Sequence, residues 1–120
     1  MIRIDIATLF VDMCETVMNE SIIGRARREN KFELHCHNIR DYTLSKQGRV
    51  DDYTYGGGCG MVMQADPIAR CLDEVLKQHE EAGLARPLVC FMTPAGKPYT
   101  QKVACEYAGL SGLALVCGNY

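Results

Sequence analysis

Three stretches of the chain combine residue types that could bind or position a ligand. Residues 55 to 60, Tyr-Gly-Gly-Gly-Cys-Gly, hold four glycines in six positions. Glycine lets a backbone take positive φ or come close to a ligand. A phosphate cradle needs GxxxxGK[ST], or GxGxxG opening a helix directly after a strand. Counted from Gly56, Gly58 fits, but the last required glycine falls on Met61 and no Lys-Ser/Thr follows. Neither cradle is present. Glycine content alone leaves linker and functional loop as equal readings; Asp51, Asp52, Tyr53 and Tyr55 favour the binding loop, because acids and aromatics give it something to bind with. The second stretch, Thr93-Pro94-Ala95-Gly96-Lys97-Pro98, is fully accounted for by turn chemistry. The third, Gly118-Asn119-Tyr120, follows an apolar run in the same way.

Two further clusters have bland readings that outweigh the functional ones. In His35-Cys36-His37, strand alternation sets both histidines on one face and the cysteine on the other, with no third ligand nearby. This reads as surface histidines beside a buried cysteine and not as a metal site. Arg25, Arg27, Arg28 and Lys31, joined by Arg40, Lys46 and Arg49, read as a solvated basic face; charge alone does not establish phosphate contact.

The elements that must position these stretches follow from periodicity. Ile2, Ile4 and Ile6 alternate with Arg3 and Asp5 before a continuous apolar run to Phe10, which predicts a core-entering strand. Met13–Met18 and Ser21–Arg28 read as helices, the second with Ser21 as N-cap. Phe32, Leu34 and Cys36 alternate with polar residues, giving a second strand. From Asn38 to Gly60 no periodicity carries a core, and a structureless stretch that long is usually functional. Asp66 then caps a helix opened by Pro67, with Ile68, Cys71, Leu72, Val75 and Leu76 at helical spacing as far as Gly83. Residues 87 to 92 form a short buried strand, Thr100 caps a helix through Tyr107, and Leu113–Cys117 is a last buried strand. The order predicts an α/β fold, a mostly parallel sheet flanked by helices. In such sheets ligands bind outside the carboxyl ends of the strands, and those ends carry Asn38, Thr93–Pro98 and Gly118–Tyr120.

Length and composition bound the rest. A chain of 120 residues fits one domain. With 48% hydrophobic and 23% charged residues it is globular in type and not disordered. No apolar run is long enough for a membrane span, and Asp5 with no small-residue cleavage site argues against a signal peptide. A net charge of −2 and a pI near 5.9 give no overall drive toward nucleic acid. The 7 cysteines are odd in number, lack CxxC spacing and fall in apolar stretches, so they read as reduced thiols in a soluble, cytoplasmic protein.

Five segments also match one family in order and spacing: NESIIGRAR (Asn19–Arg27), NIRDYT (Asn38–Thr43), VDDYTYGGGCGMVM (Val50–Met63), TPAGKP (Thr93–Pro98) and LVCGNY (Leu115–Tyr120). They resemble the N-terminal half of bacterial tRNA (guanine-N1)-methyltransferases, of the SPOUT class of knotted methyltransferases. The resemblance covers essentially the whole chain, and its VDD, YGGG and GMVM run is the most specific part. It implies residues 1–120 are part of a SPOUT domain, with the trefoil knot incomplete and the C-terminal tRNA-binding domain absent from this chain.

The function implied is transfer of a methyl group from S-adenosylmethionine to N1 of the guanosine 3′ of the tRNA anticodon, by a homodimer. The donor would be held by Met92, Thr93, Pro94 and Gly96 on one wall and by Gly118 and Tyr120 on the next. Asp51, Asp52, Tyr55, Gly56, Gly57, Gly58 and Gly60 would form the substrate loop. Neutral guanine N1 carries a proton, so the reaction needs a general base and a positive group near O6. The aspartate and arginine proposed for those roles in the family lie downstream of Tyr120, so no catalytic residue is assigned here. The isolated chain is expected to bind donor very weakly and to turn over little. Val11 stands for a usual proline, and Ser45, Gln47 and Thr54 depart from the family in or beside the loop. Two other readings remain at this point: a non-catalytic dimerising or split-enzyme module and, from the strand-helix order alone, a flavodoxin-like small-molecule binder.

Overall fold

The computed structural model describes residues 1–43, 51–53, 61–63, 65–92, 96 and 98–117. Its elements are β1 (Ile2–Thr8), α1 (Val11–Met18), α2 (Ser21–Arg28), β2 (Phe32–Asn38), a 3₁₀ turn (Ile39–Tyr42), β3 (Asp51–Tyr53), β4 (Met61–Met63), α3 (Ala65–Glu81), β5 (Leu88–Phe91), α4 (Gln101–Ala108) and β6 (Gly112–Val116). Strands β2, β1, β6 and β5 lie side by side in that order, and all three pairings are parallel. The parallel α/β expectation therefore holds.

The order of strands settles one alternative. Taking the four parallel strands in chain order, their spatial sequence is 2-1-4-3. A flavodoxin-like sheet begins 2-1-3-4. The flavodoxin-like reading is corrected: the chain reaches the far edge at β5 and steps back inward to β6. Right-handed crossovers then put α1, α2 and α4 on one face of the sheet and α3 on the other.

That division is visible in the packing. On α3, Pro67, Cys71, Val75 and His79 are buried, one stripe at four-residue spacing. Ala7 of β1, Ile39 and Cys71 pack as a core cluster, with Leu9, Tyr42 and Ile68 against it. A Schellman turn closes α3: Gly83 at φ 73° lets Leu84 N donate to the His79 carbonyl at 2.9 Å, while Gly83 N donates to Glu80. Asn30, at φ 58°, ends α2 in the same way through Lys31 N and the Ala26 carbonyl.

Several local expectations are corrected. Ser21 is not the N-cap of α2: Glu20 occupies that place without a side-chain bond, and Ser21 takes φ 56°. The cause is the two-residue junction between α1 and α2, so tight that a Cβ at Gly24 would overlap the Asn19 carbonyl. Residues 38 to 60 are not without elements. Ile39 in the 3₁₀ turn is fully buried, and β3 pairs antiparallel with β4, Asp51 opposite Met63 and Tyr53 opposite Met61. One buried residue and three-residue strands are too short to leave a period in the sequence. Finally, His37 is not a surface residue, since its side chain is only 9% exposed.

Candidate functional site at the carboxyl edge of the sheet

Because the four main strands are parallel, their carboxyl ends share one edge. Two backbone bonds knit that edge beyond the strands. Met92 N donates to the Val116 carbonyl at 3.0 Å, and Cys117 N donates to the Ala7 carbonyl at 2.9 Å. Met92 and Cys117, after which residues 93–98 and 118–120 follow in sequence, therefore lie at neighbouring points of the edge. Beside them, Phe10 N is held by the Thr8 hydroxyl at 3.1 Å, and Arg40 N by the Asn38 side-chain oxygen at 2.9 Å.

Met92 and Gly96 line a cavity of about 420 Å³ on the α4 side, completed by Cys90, Phe91, Tyr99, Tyr107, Leu113 and Leu115. The size falls in the range of small-molecule sites, and the walls are largely apolar, as such sites usually are. Thr100 caps α4 by accepting from Val103 N at 3.3 Å, as its sequence predicts. The cap brings Tyr107 toward Tyr99, their ring centroids 6.1 Å apart and tilted by 50°. The Cys90 thiol and the Tyr107 hydroxyl lie 3.7 Å apart. Pairing with Cys90, whose thiolate would repel a phenolate, raises the Tyr107 pKa above its ordinary value more than burial does. A second hollow of about 290 Å³ lies at the ends of β1 and β2, lined by Leu9, Phe10, Val11, Asp12, Met13 and Asn38.

The structure brings together only some of the residues singled out in the sequence. Met92 and Gly96 share the cavity. Asp51 and Asp52 lie on β3, in the separate two-stranded sheet. Thr93, Pro94, Gly118, Tyr120, Tyr55, Gly56, Gly57, Gly58 and Gly60 lie outside the described residues, as do Ser45, Gln47 and Thr54. Sequence reasoning missed Tyr99, Tyr107 and the β6 leucines; the available signal was the Thr100 cap, which fixes where α4 begins.

It also missed a buried polar node on the opposite face. Asp5 is 1% exposed. Its carboxylate accepts from Arg3 Nε at 3.0 Å and Arg3 Nη2 at 3.1 Å. His37 Nε2 and His79 Nε2 each lie 2.7 Å from its oxygens. Burial raises the pKa of such a carboxyl, but hydrogen bonds from His37, Arg3 and His79 outweigh it and hold Asp5 well below the usual carboxylate range. Burial pushes Cys36 up to about 12 and Cys71 up to about 11, so both are neutral thiols near pH 7.

Comparison with known proteins identifies the lineage. The family model for "tRNA (Guanine-1)-methyltransferase TrmD" matches residues 2–120. The chain belongs to the tRNA (guanine-1)-methyltransferase family. A tRNA (guanine-N(1)-)-methyltransferase of Lachnospira eligens is 43% identical over 115 residues, covering 96% of this chain and 47% of that protein. The Enterococcus faecalis enzyme of that name is 43% identical over 118 residues, covering 98% of this chain and 47% of its own length. The crystal structure of tRNA (m1G37) methyltransferase from Aquifex aeolicus superposes with a TM-score of 0.84 at 26% identity, over 98% of this chain and 51% of that one. The chain thus spans about half the length of the family members it matches, and its parallel sheet is that of the family. Among the described residues no helix is long and apolar enough to cross a membrane.

Proposed function

We propose that these residues form part of an S-adenosylmethionine-dependent enzyme that methylates N1 of guanosine in tRNA, at the position 3′ of the anticodon. The observation that carries this reading is the coincidence of a family match over residues 2–120 with an apolar cavity at the carboxyl edge of the sheet. The donor, when bound, supplies an electrophilic methyl group. Met92 and Gly96 would take one side of it: Met92 offers an apolar side chain, and Gly96 allows close approach of backbone. Thr93, Pro94, Gly118 and Tyr120 follow Met92 and Cys117 in sequence, whose backbone bonds anchor them to the sheet edge, and are assigned to the donor with them. Asp51, Asp52, Tyr55, Gly56, Gly57, Gly58 and Gly60 are assigned to the substrate loop.

We assign no base for guanine N1 among these residues and propose that the 120-residue chain binds donor weakly and turns over little by itself. A homodimer in the cytoplasm is the assembly we assign. Its support is the apolar surface on α1 and α2, where Met13, Val17 and Ile22 are 60%, 57% and 72% exposed. The same surface favours the second reading, a dimerising or split-enzyme module without turnover of its own.

The test is co-expression with the second half of the Enterococcus faecalis relative, assayed on unmodified tRNA transcript. Formation of 1-methylguanosine is expected only with both halves present. Association of the halves without methyl transfer would favour the non-catalytic module, and methylation by this chain alone would overturn the assignment of the base elsewhere.

A further inference from the structure

The Asp5 node joins three elements that are distant in sequence: β1 through Arg3 and Asp5, β2 through His37, and α3 through Gln78 and His79. Arg3 Nη2 also donates to Gln78 Oε1 at 2.6 Å, and Gln78 Nε2 donates to Glu74 at 3.2 Å. The two histidines of the node present Nε2 to the same carboxylate, but their other ring nitrogens differ. His79 is fully buried, and its Nδ1 is the one sealed side-chain polar atom without a partner among the described residues. That edge of the ring rests against Gly112, where even a Cβ would come within 2.8 Å of Cε1 and 3.0 Å of Nδ1. His37 is less enclosed, keeping 9% of its side chain exposed against 1% for His79.

We propose that the Asp5 node is a proton-state lock: His79 is held as the neutral tautomer with its proton on Nε2, and proton uptake is confined to His37 at the rim. An ionised carboxylate can only accept, so each facing Nε2 must carry hydrogen. A second proton on His79 would bury an N–H with neither acceptor nor space, which costs the full desolvation of that group. His37 keeps some contact with solvent, so a second proton there costs less. The charged or titratable groups at the node are Arg3 and Asp5 of β1 and His79 and Cys71 of α3, with Glu33 and His35 beside His37 on β2; Glu74 reaches the node only through Gln78. Of these, Glu33 is already engaged by His35 Nε2 at 2.8 Å.

The lock has a positioning role. One residue separates α3 from β4, so bolting α3 to β1 and β2 fixes where the arm carrying Met61–Met63 leaves the helix. Protonating His37 turns its charge-assisted bond with Asp5 into an ion pair, so mild acid keeps α3 clamped.

The test is long-range ¹H–¹⁵N NMR of the 120-residue protein between pH 5 and pH 8. Its three histidines are assigned by the variants H35Q and H37Q. His79 is expected to show one bare nitrogen, Nδ1, and a slowly exchanging Nε2 proton throughout. His37 is expected to take up a second proton before His79 does. Titration of His79 in step with His35, or a bare Nε2 on His79, would overturn the proposal. As a second readout, D5N is expected to reduce hydrogen-exchange protection at Leu84, whose amide bonds the His79 carbonyl, by at least about tenfold, one decade per ~1.4 kcal/mol. Unchanged protection there would contradict the clamp, and the wild-type spectra decide the tautomer even if D5N does not fold.

Discussion

The two faces of the sheet differ in kind. On the α3 face, Asp5, His79, Val75, Cys71, Ile39, Ala114 and Val116 are each 2% exposed or less. One 17-residue helix buries four positions there. On the other face, α1, α2 and α4 are 8 residues each and bury among them only Gly24. Met13, Val17, Ile22 and Ile23 remain in solvent, as do Leu88 on β5 and Met92 just beyond it. Short helices cannot hold themselves by propensity and depend on packing. The contrast teaches that stability is concentrated on one side of the sheet, while the other offers surface to ligand and partner.

The sharpest way to break this contrast is to remove the centre of the closed face. D5A leaves Arg3, His37 and His79 buried without their acceptor and is expected to cost about 3–5 kcal/mol, read from urea denaturation. Next, I39A opens a cavity in the Ala7–Cys71 cluster and should cost about 2–5 kcal/mol in the same measurement. G112A drives a methyl group into the His79 ring at 2.8 Å and should cost about 1–3 kcal/mol as the ring shifts off Asp5.

Acid probes the same node with a definite sign. The folded Asp5 carboxyl lies far below the ~3.9 of an unfolded aspartate. Its stabilisation is therefore fully present above that unfolded value and is lost as pH falls toward the folded one. Urea midpoints should fall with pH below about 4 in the native protein, and less steeply in D5N. On the open face the smallest effects are expected. I22S should change stability by no more than about 0.5 kcal/mol. R27A, which breaks a half-exposed pair with Glu15 at 2.7 Å, should cost about 0.2–1 kcal/mol. A large loss from either would erase the distinction between the faces.

The same contrast governs what could be read in the sequence. The strands and α3 were legible because their apolar residues repeat locally: Ile2, Ile4 and Ile6 at spacing two, Cys71 and Val75 at spacing four, although in β1 the deeper positions are Arg3 and Asp5. Met92 and Gly96 were legible as edge residues because a parallel sheet gathers its carboxyl ends. The Asp5 node was not. Arg3 and Asp5 look like the wet side of a strand, and their partners His37 and His79 stand 32 and 74 positions from Asp5. The one local hint was that His79 falls four residues after Val75, on the buried stripe. Tyr99 and Tyr107 were hidden for a similar reason: α4 is too short for its sequence to say which face meets the sheet.

The central functional claim is that the carboxyl edge on the open side receives the methyl donor. The direct measurement is titration of the ¹⁵N-labelled protein with S-adenosylmethionine at millimolar concentration, followed by amide shifts. Weak, saturable changes are expected, clustered at Phe91, Met92, Gly96 and Cys117, with Leu84 and Arg86 at the opposite edge unmoved. Shifts centred on Leu84 and Arg86, or none at Met92 and Gly96, would contradict it.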